Sequence, residues 1–112
     1  MSISTHVLDT ARGRPAAGVA VVLSVQGPGG WTELARGTTD PDGRIATVLP
    51  ASASPAAGAT FRLRFEVGGY FAARGEAAFY PYVEVVFTPQ DAGHYHVPLL
   101  VSPFGYSTYR GS

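Results

Sequence analysis

The sequence predicts an all-β protein built as an antiparallel β-sandwich, and three observations support this prediction. Apolar and polar residues alternate with a period of two along several runs, as in strands that bury one face. Clusters of Gly, Pro, Asp and Ser separate these runs at short intervals, and short strands with frequent turns are typical of a sandwich. The segment GGYFAARGE is the only stretch that fits a helix, and it allows no more than two turns.

Eight strands are predicted along the chain. They span residues 3–9, 18–26, 31–38, 43–48, 60–67, 79–88, 94–102 and 104–110. In the first strand, His6 shares one face with Ser4 and Leu8, and the alternate residues form the other face. Either face can be the inner one, so alternation alone does not place His6. The second strand has an apolar face formed by Val19, Val21, Leu23 and Val25.

A tight turn, DPDG, precedes the fourth strand. Pro41 presets one backbone dihedral of such a turn, and Gly43 can adopt a positive φ. Arg44 follows directly. Arginines after hairpins are usually solvated, but a rigid donor fork in this place can also polarise a carbonyl or hold a planar anion.

The later strands show the same alternation. In TFRLRFEV, the residues Phe61, Leu63, Phe65 and Val67 share one face. In YHVPLLV, proline cannot donate a ladder hydrogen bond. This strand is therefore expected at a sheet edge, or with position 98 turned away from its neighbour. PASASPAAGA, residues 50–59, is predicted to be a mobile loop.

Length and composition favour a single domain that spans residues 1–112. Hydrophobic residues make up 46% and charged residues 14% of the chain, so it can bury a core and, in addition, some surface against partner chains.

The basic residues are all arginines, spread along a chain of zero formal net charge, which disfavours nucleic-acid binding. Cysteine is absent, which excludes disulfides and thiolate chemistry. With no secretory signal and no apolar run of membrane-spanning length, a cytoplasmic protein is expected.

Three histidines, His6, His94 and His96, are the candidate bases for chemistry near neutral pH. For His6, the alternative is a half-buried histidine with a hydrogen-bond partner. His94 and His96 share a strand face, and an H-x-H pair with a third histidine can bind zinc. No carboxylate follows at a telling spacing, and His94 is also consistent with a solvated strand end.

The final residues, Tyr109, Arg110, Gly111 and Ser112, combine an aromatic ring, a fixed cation, a flexible position and a hydroxyl. One interpretation is an ordinary strand end whose residues suit a protein–protein interface. Aromatic and arginine side chains are costly to leave unused in water, however, so the tail is also a candidate part of a site.

Three separate motifs together resemble one known family. STHVLDT near the start, TDPDGR in the first third and YHVPLL…SPFGYSTYRGS at the end are similar to those of the transthyretin-related 5-hydroxyisourate hydrolases. The terminal YRGS is the signature that separates these enzymes from transthyretin, the hormone carrier. The resemblance covers essentially the whole chain, and the motifs occur in the family's order.

The resemblance implies a prealbumin-like, eight-stranded β-sandwich with one short helix, drawn from GGYFAARGE. It implies a homotetramer, a dimer of dimers, with active sites along a channel where two subunits meet. It implies a small-molecule substrate and neither a metal nor an organic cofactor.

By the same resemblance, the catalytic residues are His6, Arg44, His96 and Ser112, and the substrate-binding residues are Tyr109, Arg110 and Gly111. The implied reaction is hydrolysis of 5-hydroxyisourate to 2-oxo-4-hydroxy-4-carboxy-5-ureidoimidazoline, in urate degradation to allantoin. In this interpretation the two histidines orient a water molecule and one takes its proton, while Arg44 stabilises charge on the attacked oxygen.

Two other classes share parts of the pattern. A transthyretin-like carrier of a small aromatic ligand has the same fold and channel but needs neither the histidines nor the YRGS tail. A prealbumin-like repeat of a surface adhesin resembles the early strands. Such repeats often carry a lysine–asparagine isopeptide bond, and this chain has neither residue type.

Overall fold

The chain folds into two β-sheets and one short helix, as seen in a computed structural model that describes residues 1–49 and 55–112. The segment PASASPAAGA, predicted to be a mobile loop, lies partly outside the described residues. Within the described part of the chain, no helix is long and apolar enough to cross a membrane.

Nine strands and one helix occur among the described residues. They are β1 (Ser2–Asp9), β2 (Arg14–Pro15), β3 (Ala20–Gly27), β4 (Gly30–Thr38), β5 (Arg44–Ile45), β6 (Phe61–Phe65), α1 (Val67–Ala72), β7 (Val83–Phe87), β8 (His94–Ser102) and β9 (Gly105–Thr108). Each of the eight predicted strands has a counterpart in this set. β2, only two residues long, was not predicted, because two residues carry no periodicity.

One sheet has the order β2-β1-β8-β9, with β5 also paired to β1, and the other has the order β4-β3-β6-β7. All pairings are antiparallel except that of β1 with β8, which is parallel over the full length of β1. The expected sandwich is confirmed, but the expectation of purely antiparallel pairing is wrong for this pair. β1 and β8 come from opposite ends of the chain, and alternation within each strand carries no information on their relative direction.

The core lies between the two sheets. β1 contributes Ile3 and Val7, β3 contributes Val21 and Leu23, and all four are fully buried. Burying a side chain of this kind stabilises the fold by roughly 1.5–3 kcal/mol. The inner face of β1 is therefore the one opposite His6, which leaves His6 on the outer face of the first sheet.

The helix α1 begins where the alternation of β6 ends. Val67, Tyr70 and Phe71 are buried, and their spacing of three and four residues is that of one helix face. Gly68 packs against the segment that leads into β7. A Cβ added to Gly68 would come within 2.6 Å of the Pro81 carbonyl oxygen. The segment predicted to form the helix, residues 68–76, contains all of α1 except its first residue, Val67.

The strand that contains Pro98 is central rather than at an edge, because β8 lies between β1 and β9. The pairing of β8 with β9 covers only Leu99–Ser102. Pro98 lies just outside it, so the β8–β9 ladder needs no backbone N–H from this proline. The Pro98 carbonyl instead accepts a hydrogen bond of 2.7 Å from the Thr108 hydroxyl. Of the two arrangements expected for this proline, the edge position is wrong.

A buried carboxylate joins the end of β1 to α1. Asp9 is fully buried and accepts hydrogen bonds from the Tyr70 hydroxyl at 2.7 Å and from the Arg12 amide at 3.0 Å. The Arg12 guanidinium also pairs with Asp9 at 3.1 Å. Burial by itself would raise the pKa of Asp9, but these hydrogen bonds and the Arg12 charge outweigh it and lower the pKa below its usual value.

We expect Asp9→Asn to lower the free energy of unfolding by about 2 kcal/mol, because a hydrogen bond to a charged group contributes roughly 1.5–3 kcal/mol. Because the pKa of Asp9 is lowered in the folded protein, its contribution is fully present above the ordinary carboxyl range and is lost as the pH falls from that range through the lowered pKa. Urea unfolding at pH 7 and pH 3 checks both points. Equal destabilisation at the two pH values would contradict the assignment, and Tyr70→Phe serves as the control that removes a single hydrogen bond.

Candidate active site

The parallel pairing of β1 with β8 brings two sets of polar side chains together on the outer face of the first sheet. In this register Ser2 is opposite His94, Ser4 is opposite His96, and His6 is opposite Pro98. His96 and His6 are half-buried, and His94 is exposed. Residues about 90 positions apart in the chain thus form one polar surface.

The Ser4 hydroxyl lies between the two imidazoles of β8. Its oxygen is 2.8 Å from Nδ1 of His96 and 3.0 Å from Nε2 of His94. The Ser2 hydroxyl continues the series, 2.5 Å from Nδ1 of His94. His96 therefore has one ring nitrogen engaged by Ser4. Its Nε2 makes no hydrogen bond with any residue that the structure describes.

The DPDG turn positions Arg44 against β1. The Asp40 carboxylate accepts hydrogen bonds of 2.9 Å from the amides of Asp42 and Arg44, and the Gly43 carbonyl accepts one of 2.7 Å from the Val7 amide. Gly43 has the positive φ predicted for it, 75°. A Cβ there would also lie 2.4 Å from the Val7 carbonyl oxygen. This close packing sets Arg44 opposite His6 in the β1–β5 pairing.

The tail returns to β8 at Gly111. The Gly111 amide donates a hydrogen bond of 2.8 Å to the His96 carbonyl, and the two residues form an isolated antiparallel bridge. A Cβ on Gly111 would lie 2.6 Å from Cδ2 of the His96 ring. Glycine is required here by the close approach of the imidazole, which the sequence did not indicate.

These elements enclose an open cleft of about 360 Å³. The residues that line it are Ser4, Thr5, Arg44, Ile45, Ala46, His94, His96 and Ser112. His6 is outside this lining set but pairs directly with Arg44 in the sheet. The structure thus brings Arg44, His96 and Ser112 into one cleft, with His6 beside it and Gly111 behind the His96 ring.

The environment of His96 favours its neutral form. Burial is the largest influence that lowers its pKa below the usual value, followed by the positive charge of Arg44 and then by His6 and His94. An imidazole that stays neutral near pH 7 can accept a proton. The Arg44 guanidinium makes no hydrogen bond or ion pair with the rest of residues 1–49 and 55–112, so it is free to bind an anion or a carbonyl oxygen.

Tyr109 and Arg110 lie elsewhere in the protomer. They line a second cavity of about 400 Å³ together with residues of β7 and β8. The Arg110 guanidinium stacks on the Tyr95 ring at 4.5 Å, and Tyr95 projects from the face of β8 opposite to His96. Arg110 therefore faces the second cavity, whereas its neighbour Gly111 lies against the His96 ring.

Sequence reasoning missed the role of Ser4 and underestimated His94, which lines the cleft. Ser4 was recognised only as a residue on the same face as His6, and its contact with His96 depends on the parallel register.

In the described ranges no group of three or more His, Asp or Glu side chains is arranged to hold a metal ion. The hydrogen-bond partner considered for His6 is also missing from the part of the chain that the structure describes.

We expect Gly111→Ala to lower kcat/KM for the reaction of this cleft by about tenfold or more, because the new methyl group must displace the His96 ring and a small misplacement of a catalytic group can cost about 100-fold. Its melting temperature should stay within a few degrees of the wild type, since Gly111 lies outside the core. Steady-state kinetics and a thermal melt check this. Wild-type turnover in the Ala variant would show that the His96 position is not critical.

The two-sheet sandwich with one short helix has a transthyretin-like fold. The chain matches the model of the HIUase/Transthyretin family over residues 3–111. It belongs to that family.

Similar proteins include 5-hydroxyisourate hydrolases and transthyretins. The chain is 47% identical over 111 residues to a 5-hydroxyisourate hydrolase of Salmonella dublin, covering 98% of this chain and 80% of the relative. The structure of Klebsiella pneumoniae 5-hydroxyisourate hydrolase matches with a TM-score of 0.85 and 40% identity, covering 100% of both chains. Transthyretin from Sparus aurata matches with a TM-score of 0.89 and 33% identity, covering 98% of this chain and 96% of that chain.

Proposed function

We propose that the protein hydrolyses 5-hydroxyisourate in the cleft between β1, β5 and the tail. Water adds to a ring carbonyl, the adjacent ring C–N bond breaks, and the departing nitrogen takes up the proton that the water releases. The observation that carries this proposal is the convergence of His96, Arg44 and Ser112 on one cleft, in a chain whose similar relatives include 5-hydroxyisourate hydrolases. The fold alone is shared with transthyretin, so the proposed activity depends on the side chains of the cleft.

His96 is the general base in this proposal. A base must be unprotonated near the working pH and must have a lone pair directed at the water. The lowered pKa of His96 meets the first requirement, and the unengaged Nε2 meets the second, because Nδ1 contacts Ser4. His6, beside Arg44 in the sheet, orients the water or the substrate.

Arg44 stabilises the negative charge that grows on the attacked carbonyl oxygen. A preorganised donor of this kind typically contributes about 3 kcal/mol to lowering the barrier. The hydrolysis needs no covalent nucleophile, so the Ser112 hydroxyl serves as a hydrogen-bonding group for the substrate. Gly111 permits the tail to lie against His96 and so brings Ser112 to the edge of the cleft.

The test is an absorbance assay that follows freshly generated 5-hydroxyisourate with and without the purified protein. We expect its decay to accelerate in proportion to protein concentration and to saturate with substrate. A carrier of small aromatic ligands, the alternative function, would bind such a ring without accelerating its decay. Binding with an unchanged decay rate would therefore favour the carrier and contradict the proposal.

The pH dependence of kcat/KM gives a further prediction. His96 must be neutral, and its pKa is lowered by burial and by Arg44, His6 and His94. The acid limb of the profile should therefore fall below about pH 6.5, the usual imidazole value. Arg44→Gln removes the nearby positive charge, so in the residual activity the limb should move to higher pH. A limb that moves to lower pH in this variant would contradict the assignment of the base.

We also propose that the protein acts as a homotetramer, a dimer of dimers. Among the described residues, β7 and β9 are terminal strands of their sheets and carry exposed apolar side chains, Val86 on β7 and Tyr106 on β9. An exposed strand edge is a template for pairing with another chain. Sedimentation velocity tests the assembly, and a monomer at micromolar concentration would contradict it.

In such an assembly Tyr109 and Arg110 would act on the cleft of a neighbouring subunit, since in their own protomer they line the other cavity. Mixing the variants His96→Ala and Arg110→Ala under subunit exchange should then restore part of the activity, because one hybrid cleft has both side chains intact. No recovery in proven mixed oligomers would place Arg110 outside the neighbouring site. The cytoplasmic location expected from the sequence stays a prediction.

A further inference from the structure

The hydrolytic scheme uses only the last contact of a longer hydrogen-bond series, which runs from Ser2 through His94 and Ser4 to His96. Its contacts are 2.5 Å, 3.0 Å and 2.8 Å in that order. It runs from exposed His94, which half-buried Ser2 contacts, inward to Ser4, which is 7% exposed, and to half-buried His96. Each ring nitrogen within it meets a hydroxyl, and each contact requires one hydrogen.

A serine hydroxyl has a single hydrogen. Because Ser4 contacts both rings, it can donate to one of them only and must accept from the other. If His96 carries its proton on Nδ1 and donates to Ser4, then Ser4 donates to Nε2 of His94. That nitrogen is then unprotonated, and the proton of neutral His94 is on Nδ1, facing Ser2.

The opposite polarity is also self-consistent. His94 then donates from Nε2 to Ser4, Ser4 donates to Nδ1 of His96, and His96 carries its own proton on Nε2. The two neutral imidazoles therefore have the same tautomer in either case. Only the first polarity leaves Nε2 of His96 unprotonated and able to accept a proton in the cleft.

We propose that Ser4 is a positioning residue that couples the tautomers of His94 and His96 and holds both on Nδ1. The choice of Nδ1 and the role of His96 as a base rest on the proposed hydrolysis. The coupling of the two tautomers rests on the contacts of Ser4 alone. Charged or titratable groups near His96 come from each neighbouring element. They are His6 on β1, Arg44 on β5 and His94 on β8 itself. The Arg44 charge further opposes protonation of the ring.

The direct test is a nitrogen-15 NMR spectrum of the full chain labelled at histidine, recorded at a pH where the rings are neutral. We expect His94 and His96 both to show a protonated Nδ1 and an unprotonated Nε2. In Ser4→Ala, His96 should become a mixture of tautomers. Different tautomers on the two rings of the wild type, or a protonated Nε2 on both, would overturn the proposal.

Kinetics supply the second readout. Ser4→Ala should lower kcat by about tenfold or more with little change in KM, a loss below the 10²- to 10⁴-fold expected when a general base is removed. Ser4→Thr keeps the hydroxyl and should recover most of the activity. Ser107→Ala, at an exposed position of β9, is the control for loss of a hydroxyl. Wild-type kcat and an unchanged His96 tautomer in a folded Ser4→Ala protein would refute the positioning role.

The two proposals fail separately. If the wild type shows coupled tautomers but does not accelerate decay of 5-hydroxyisourate, the hydrolase function fails and the Ser4 coupling stands. If it hydrolyses the substrate while the two rings have opposite tautomers, the coupling fails and the function stands.

Discussion

Replacing His96 with Ala is expected to lower kcat by about 10²- to 10⁴-fold, the contribution typical of a positioned general base. The imidazole provides the unengaged Nε2, its pKa is lowered so that the ring is neutral at working pH, and Ser4 fixes its orientation. His6→Ala is also expected to reduce turnover by orders of magnitude. The stability of both variants should change little, because neither ring is part of the core.

His94→Ala is the matched control for His96→Ala. The two histidines lie two positions apart on the same face of β8 and both contact Ser4. His94 is exposed and both of its ring nitrogens face serine hydroxyls, so neither is available to substrate. Its loss should therefore cost much less activity than the loss of His96. Equal losses in the two variants would mean that the base had been assigned to the wrong histidine.

Deleting residues 109–112 is expected to lower turnover by about 100-fold or more while the sandwich stays folded. The deletion removes Ser112 from the cleft and the hydrogen bond from the Gly111 amide to His96. It removes no member of the hydrophobic core, and β9 ends before it, at Thr108. Turnover measured together with circular dichroism and a thermal melt checks both halves of this expectation.

A shorter deletion separates the contribution of residues 111–112 from that of Tyr109 and Arg110. Removing only residues 111–112 takes away the part that contacts His96 and the cleft, and leaves Tyr109 and Arg110 in place. We expect this variant to lose most of the activity lost by the longer deletion. Near-normal turnover in the longer deletion would show that the tail has no part in the reaction.

Much of the fold could be predicted because alternation reports burial directly. The apolar face of β6, at Phe61, Leu63 and Phe65, is fully buried as its pattern indicates. The positive φ of Gly43 followed from the chemistry of its turn. The ends of the strands were less predictable. Only Arg44–Ile45 of the predicted strand 43–48 forms β5, because a strand continues only as far as a neighbour pairs with it.

The candidate site shows where a single sequence stops being informative. The histidines, Arg44 and the tail were identified by residue type and by family resemblance. The contact of Ser4 with His96 could not be, because it depends on a parallel register between strands about 90 residues apart. The tail residues also line two different cavities, Arg110 one and Ser112 the other. Which cavity each residue faces depends on the bridge between Gly111 and His96, which the sequence does not reveal.

A crystal structure with a planar, hydrolysis-resistant analogue of 5-hydroxyisourate tests the proposed site most directly. We expect the ring in the cleft of β1 and β5, with a carbonyl oxygen within hydrogen-bond distance of Arg44 and the Nε2 atom of His96 facing the carbon to be attacked. An analogue bound only in the cavity of Tyr95 and Arg110, without contact to His96 or Arg44, would contradict the proposed site.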